Sequence, residues 1–267
     1  SISAIGASIL GYADNYVDNK VIQSIKKSVV SSLNCTEEIK LAKKLISLHP
    51  WSDQARFSKS GGEAVAMAVR VARSYTNKEV IAFCGYHGWH DWYLAANIKK
   101  DNLKEHLLSG LSPNGVPKGL RGTSFPFRYN NINDLERIIK QNKNKVAAII
   151  MEPLRNFIPK NNFLKKVKIL AKKNKIILIF DEITSGFRLC PGGAHKILKV
   201  NPDMAIFGKA IGNGYPISCI IGKKKIMNHF QNSFISSTAW TERTGAVAAN
   251  ATIEKYIKKK VHIKINK

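Results

Sequence analysis

Five stretches of the chain hold runs of apolar residues at consecutive rather than alternate positions. They are Lys78–Phe83, Val146–Met151, Ile176–Phe180, Asp203–Phe207 and Ile217–Ile221. Short, β-branched-rich runs of this kind are the pattern of strands buried on both faces of a parallel sheet. Between them the apolar residues fall at three- and four-residue spacing. Asp18–Val30 carries Val21, Ile22, Ile25 and Val29 on one side, and Thr36 is a fitting N-cap for a helix running to about Leu48 before Pro50. Ala64, Ala68, Val71 and Tyr75 share a helical face, Phe163–Lys173 is amphipathic, and a small-residue helix is expected from Ala246 to about Lys258. Asn133-Asp-Leu-Glu136 reads as a capping box. Strand, polar residues, then helix is the repeating order. It predicts an α/β fold with a mainly parallel sheet and helices on both faces.

The strand ends carry the candidate chemistry. Ile176–Phe180 stops at Asp181-Glu182, Asp203–Phe207 runs into Gly208-Lys209, and Val146–Met151 ends at Glu152-Pro153. Open α/β sheets take their ligands at this carboxyl edge. Ser60-Gly61-Gly62-Glu63 opens a helix, and small residues there leave backbone N–H groups for an anion. A carboxylate and a lysine on two strand ends fit a salt bridge, a metal-and-phosphate site, or a pyridoxal phosphate (PLP) site. PLP chemistry needs a lysine for the Schiff base and an acid that keeps the ring nitrogen protonated. His87-x-x-His90-Asp91 lacks the helical spacing of a zinc motif, so no metal is expected.

Composition narrows the class. Over 267 residues, 44% are hydrophobic, in the range of a globular protein with one sizeable core. No apolar run reaches the roughly 20 residues of a membrane span. The opening Ser1-Ile-Ser-Ala-Ile-Gly6 lacks a basic flank, and the four cysteines stand singly, so a cytoplasmic protein with free thiols is expected. A formal charge of +25 raises nucleic-acid binding. Lysine far exceeds arginine and the basic runs are short and free of interleaved aromatics, which favours solvated surface over a nucleic-acid partner.

Asp181-Glu-Ile-Thr-Ser-Gly-Phe-Arg188, followed by Phe207-Gly-Lys-Ala-Ile-Gly-Asn-Gly-Tyr-Pro216, resembles the core of the class III, fold type I, PLP-dependent aminotransferases. The nearer likeness is to the branch similar to glutamate-1-semialdehyde aminomutase. The resemblance implies the large domain of the PLP-dependent transferase fold. It implies that Asp181 meets the ring nitrogen, that Lys209 carries the cofactor, and that Ser60, Gly61 and Gly62 hold the phosphate, with Gly62 where the family has Thr. Tyr86 stacks on the ring from the Tyr86-His87-Gly88 loop, His87 adds a further cofactor contact, Ile183 covers the opposite face, Glu152 shapes the site, and Asn156 contacts the ring. Thr238 matches a residue that reaches the phosphate in a neighbouring subunit, which implies a homodimer with shared sites. Arg155 either binds a substrate acid or pairs with Glu152, and Glu182 pairs with Arg188. The long polar stretch Asn97–Arg128, including Ser109, covers the site or meets a partner subunit. Thr241-Glu242-Arg243 departs from the family's Gly-Asn-Pro.

These expectations divide the chain into an N-terminal segment (1–35), a PLP-binding large domain (36–250), and the start of a truncated C-terminal region (251–267). The expected activity is amino transfer through a lysine Schiff base and ketimine, between a small-molecule amino donor and a carbonyl acceptor. Intramolecular transfer, as in an aminomutase, is the alternative. A basic nucleic-acid binder on an inactive scaffold is the reading from another class.

Overall fold

The computed structural model describes residues 3–99, 101–104, 110–156 and 158–266. Among the described residues, seven strands form one sheet in the order β1-β7-β6-β5-β4-β2-β3. They are β1 (Gln54–Ser58), β2 (Val80–Cys84), β3 (Ser124–Pro126), β4 (Val146–Met151), β5 (Ile177–Asp181), β6 (Met204–Phe207) and β7 (Ser218–Gly222). β3, β2, β4, β5 and β6 pair in parallel. β7 pairs antiparallel with both β6 and β1, so β1 runs in the common direction and β7 alone is reversed. The sheet is therefore mainly parallel, as expected. An apolar run carries no mark of strand direction, and the sequence pattern did not reveal β7's reversal or β1 at all. β1 is only half-buried along its length, which hides its period.

The long helices are α1 (Asn15–Ile25), α2 (Thr36–Leu48), α3 (Gly61–Thr76), α4 (Ile132–Gln141), α5 (Phe163–Lys173) and α6 (Thr244–Lys258). Strand parity sorts the core into layers. Ile81, Phe83, Ile150, Ile179 and Ile206 face α3, which buries Ala64, Ala68 and Val71. Ala82, Ile149, Leu178 and Phe180 face Leu135 and Ile138 of α4 and Leu164 and Val167 of α5. Farther along that side, Ala205, Phe207, Cys219 and Ile221 meet Leu41 and Leu45 of α2 and Ala249 and Ile253 of α6. Fully burying such a side chain stabilises the fold by about 1.5–3 kcal/mol.

Three helix starts differ from expectation. α1 begins early because Asp14 Oδ1 accepts from Val17 N at 3.2 Å. Val17, Val21 and Ser24 then face inward, while Ile22, Ile25 and Val29 stay 50%, 48% and 44% exposed. Cys35 holds the cap position of α2, and Thr36 is its first helical residue. Asn131, not Asn133, caps α4 by accepting from Asp134 N at 3.1 Å, and Asp134 instead takes Arg128 at 2.7 Å. No strand precedes β1 among the described residues.

The boundary at 250 falls inside α6, whose Val247, Ala248 and Ala251 share one cluster with Val17 and Val21 of α1. Ser109 and residues 105–108 of the long loop lie outside the described residues. The described part is knotted on buried Asn97, which donates to Leu111 O at 2.7 Å and accepts from Leu103 N at 3.0 Å. Among the described residues no helix is long and apolar enough to cross a membrane.

His49, at the end of α2, is fully buried. Its Nδ1 donates to Leu45 O at 2.7 Å, and its Nε2 accepts from Gly193 N at 3.0 Å. Burial, with the Leu45 carbonyl only partly offsetting it, pushes this imidazole from 6.5 down to about 4. As pH falls from 6.5 to 4 the unfolded chain takes up a proton here that the folded chain refuses. Stability is lost over that window, by roughly 3 kcal/mol from this group alone. We expect unfolding midpoints to drop steeply between pH 6.5 and 4, and His49→Gln to flatten that slope. An unchanged slope in the variant would show that another group governs acid stability.

Candidate active site

The six co-directional strands bring five chain segments to one edge of the sheet: the turns after β1, β2, β4, β5 and β6. Asp181 is the last residue of β5 and is 3% exposed. Its Oδ1 accepts from Ile183 N at 3.1 Å, and its Oδ2 lies 2.8 Å from His87 Nδ1. His87 Nε2 lies 3.1 Å from Cys84 O, which can only accept, so that nitrogen carries a proton. His87 is buried behind Asp181. The structure gives it the role of fixing the carboxylate, where the resemblance had implied a cofactor contact.

Glu152 follows β4 and is also buried. It accepts from Tyr86 N at 3.1 Å, and Arg155 Nη1 reaches both of its oxygens at 3.0 Å. The approach requires Gly85, whose φ is +111° and where a Cβ would stand 2.5 Å from Glu152 Oε2. Burial first, then the charge of Asp181, pushes Glu152 above the usual carboxylate range, against the pull of His87 and Arg155.

Lys209 begins a tight turn after β6 with φ +44°, a left-handed conformation that costs an L-residue roughly 1–2 kcal/mol. Its Nζ donates to Thr184 Oγ1 at 3.1 Å. Burial lowers the ammonium's pKa, the charge of Arg155 lowers it further, and Asp181 and Glu152 oppose both. The neutral, nucleophilic amine is favoured accordingly.

At the start of α3, Ser60 and Glu63 form a capping box. Glu63 N donates to Ser60 Oγ at 3.3 Å, and Ser60 N donates to Glu63 Oε2 at 3.0 Å. The N–H groups of Gly61 and Gly62 have no acceptor within the helix and face the dipole's positive end. Both glycines line a tight cradle. A Cβ on Gly61 would lie 2.7 Å from Ile183 Cδ1, and one on Gly62 would lie 2.8 Å from His90 Cε1. His90 Nδ1 is buried with no partner among the described residues.

Two expected residues stand apart. Asn156 is exposed, and Arg155 turns inward onto Glu152 in its stead. The turn after Pro153 is thus one residue out of phase with the reading, and the pairing alternative for Arg155 is the one observed. Thr238 is exposed on the segment before α6. Glu182 does not pair with Arg188. It is fully buried, accepts from Ser185 Oγ at 3.0 Å and Ala194 N at 2.5 Å, and pairs with His195 Nδ1. Arg188 instead donates to Thr184 O at 2.5 Å and Gly6 O at 2.6 Å. Glu242 pairs with Lys59 at 2.6 Å. Thr184 and His90 were missed as site residues. Thr184 lies inside the Asp-Glu-Ile-Thr motif, but its contact with Lys209 crosses from the β5 turn to the β6 turn, which no spacing reports.

The aminotransferase class-III family profile matches residues 1–267. The chain belongs to the class III aminotransferases. Among curated relatives of this class III chain, a 3-aminobutyryl-CoA aminotransferase of Cloacimonas acidaminovorans is 39% identical over 261 residues, covering 95% of this chain and 59% of its own length. A glutamate-1-semialdehyde 2,1-aminomutase of Wigglesworthia glossinidia brevipalpis is 39% identical over 240 residues, covering 87% of this chain and 54% of its own. The chain thus spans little more than half the length of these relatives. The crystal structure of an omega-transaminase from Sphaerobacter thermophilus superposes with a TM-score of 0.84 at 28% identity, over 96% of this chain and 61% of that one.

PLP is the cofactor of this class III family. The residues present fit it: a buried carboxylate fixed by His87, a half-buried lysine, and a glycine cradle with free N–H groups beside an unpartnered His90 nitrogen. Competitive trace acetylation read by mass spectrometry tests the electrostatics without turnover. Because burial and Arg155 destabilise the ammonium, Lys209 should become reactive at lower pH than surface lysines. Glu152→Gln, which removes an opposing charge, should move it lower still. Reactivity like that of the surface lysines would refute this account.

Proposed function

We propose that this chain forms the cofactor-binding part of a PLP-dependent aminotransferase. The observation that carries the reading is the buried Asp181–His87 pair at the end of β5, with the half-buried Lys209 after the neighbouring strand β6 bonded to Thr184 of the β5 turn. In this reading Asp181 holds the proton on the pyridine nitrogen, and Tyr86 and Ile183 flank the ring. Ser60, Gly61 and Gly62 bind the phosphate, with Thr238 serving the site of a neighbouring subunit in a homodimer. The bound cofactor supplies an electron-accepting ring that stabilises negative charge on the carbon next to the substrate nitrogen. Lys209 Nζ, once free, takes the proton from that carbon and returns it elsewhere, acting as a general base held in line by Thr184 Oγ1. Glu152 limits solvent at the ring edge.

The substrates are an amino donor and a carbonyl acceptor, and the setting is the cytoplasm. Nucleic acid is not a partner in this reading. A second reading, intramolecular amino transfer, draws support from the aminomutase relatives. A turnover that depends on an added oxo acid separates the two.

Incubation with PLP, borohydride reduction and peptide mass spectrometry should place the pyridoxyl group on Lys209 alone. Label spread over the many lysines would refute the site. Asp181→Asn should retain the label while slowing proton removal by at least about 100-fold, the usual cost of losing one preorganised electrostatic partner. An unchanged rate would refute its role at the ring nitrogen.

A further inference from the structure

A second concavity lies at the other end of the strands from Asp181 and Lys209. Ile177 and Leu178, which open β5, line it, and the Cα of Ile177 is roughly 13 Å from that of Asp181 at the strand's end. It encloses about 550 Å³, within the roughly 300–1,000 Å³ of small-molecule sites. Lys78, Lys168, Lys172, Lys175, Lys223 and Lys225 line it, and among its described lining residues Asp203 is the only acid.

That acid is already committed. Asp203 Oδ2 accepts from Leu178 N at 3.0 Å, and its Oδ1 accepts from Lys223 Nζ at 2.6 Å. Lys78 is anchored as well, donating from Nζ to Lys175 O at 3.2 Å and to Asn174 O at 3.4 Å beyond the end of α5. Lys168, Lys172, Lys175 and Lys225 form no ion pair among the described residues.

Lysines at this edge have an ordinary use, because a helix C-terminus carries about half a negative charge. α3 and α5 both end at the cavity, through Tyr75 and Thr76 and through Lys172. Those two ends and Asp203 supply about two negative charges, so the six ammonium groups exceed them by about four. Lys168 and Lys172 also stand one turn apart on α5, a like-charge spacing that destabilises a helix. Complementing helix ends therefore leaves most of the cluster unexplained. The other lysine-lined groove, between α1, α2 and α6, contains two acids, Glu37 and Glu254.

We propose that this cavity binds a polyphosphate anion of the triphosphate class, held by Lys168, Lys172, Lys175 and Lys225 and backed by the anchored Lys78 and Lys223. A nucleoside triphosphate carries one charge on each inner phosphate and nearly two on the terminal one near neutral pH, which matches the excess. The low-dielectric walls of a cleft concentrate the field of such a cluster. The site is separate from the candidate active site and does not rest on the aminotransfer reading.

The test is calorimetric titration of the full chain with adenosine triphosphate (ATP) and with inorganic triphosphate. Saturable binding of both marks a site that reads phosphates alone, and binding of ATP only adds a nucleobase contact, with Tyr75 as the aromatic wall. Binding of neither overturns the proposal. Lys172 and Lys225 are exposed, so their substitution spares the core. Lys172→Glu with Lys225→Glu should weaken binding by at least about 10-fold, the loss expected for charge-assisted contacts. Lys40→Glu with Lys43→Glu makes the same change of net charge in the groove beside α1 and should leave the affinity within a few-fold. Equal weakening by both pairs would mark a diffuse basic surface. No weakening by the first pair would place the anion elsewhere, as in the Gly61–Gly62 cradle. Either result overturns the proposal. A further measurement needs no ligand: Lys172→Gln relieves repulsion and should raise the unfolding midpoint of the free protein. A lower midpoint would assign this lysine to the end of α5 and overturn the proposal.

Discussion

A carboxylate at the end of a fully buried strand must find donors for its oxygens inside the protein, because water cannot supply them. Asp181 meets that demand with Ile183 N on one oxygen and His87 on the other. The first bond curls the chain after β5 into the turn that carries Ile183 and Thr184. The second ties β5 to the loop after β2, and His87 passes the restraint on to the carbonyl of Cys84. Ile183 in turn fills the space that a side chain on Gly61 would occupy. One hydrogen-bonded acid thus links the turn after β5, the loop after β2 and the start of α3, and the sheet beneath supplies the rigidity.

Asp181 and Glu182 are neighbours in the chain with opposite tasks. Strand parity gives Asp181 the side of Ile179, toward α3, and turns Glu182 to the other side. There Glu182 gathers Ser185, Ala194 and His195 into a buried network that Trp51 completes by donating to His195 Nε2 at 2.8 Å. That network pins the stretch from 182 to 195, the outer wall of the turn that presents Thr184 to Lys209. One acid faces the site while its neighbour holds the ground under it.

Much of this was legible before any coordinates. Buried strands announce themselves as unbroken apolar runs, and Asp181, Glu152 and Lys209 stand where those runs stop. Phe163–Lys173 was readable to its ends because its two faces differ sharply in polarity. Other features depend on information that no local pattern holds. The reversal of β7 follows from its partners, not its residues. The start of α1 turned on a single side-chain bond from Asp14, which rotated the inward face toward Val17. After Pro153, one residue of phase exchanged Asn156 for Arg155, because an irregular turn has no period to count.

The left-handed backbone at Lys209 has an evolutionary reading. A glycine would hold φ +44° without strain, so the fold as such would tolerate, and energetically prefer, the loss of the side chain proposed above to carry the cofactor. In that reading stability and chemistry pull in opposite directions at this position. A lineage released from selection for the proposed reaction would have a downhill path away from lysine here.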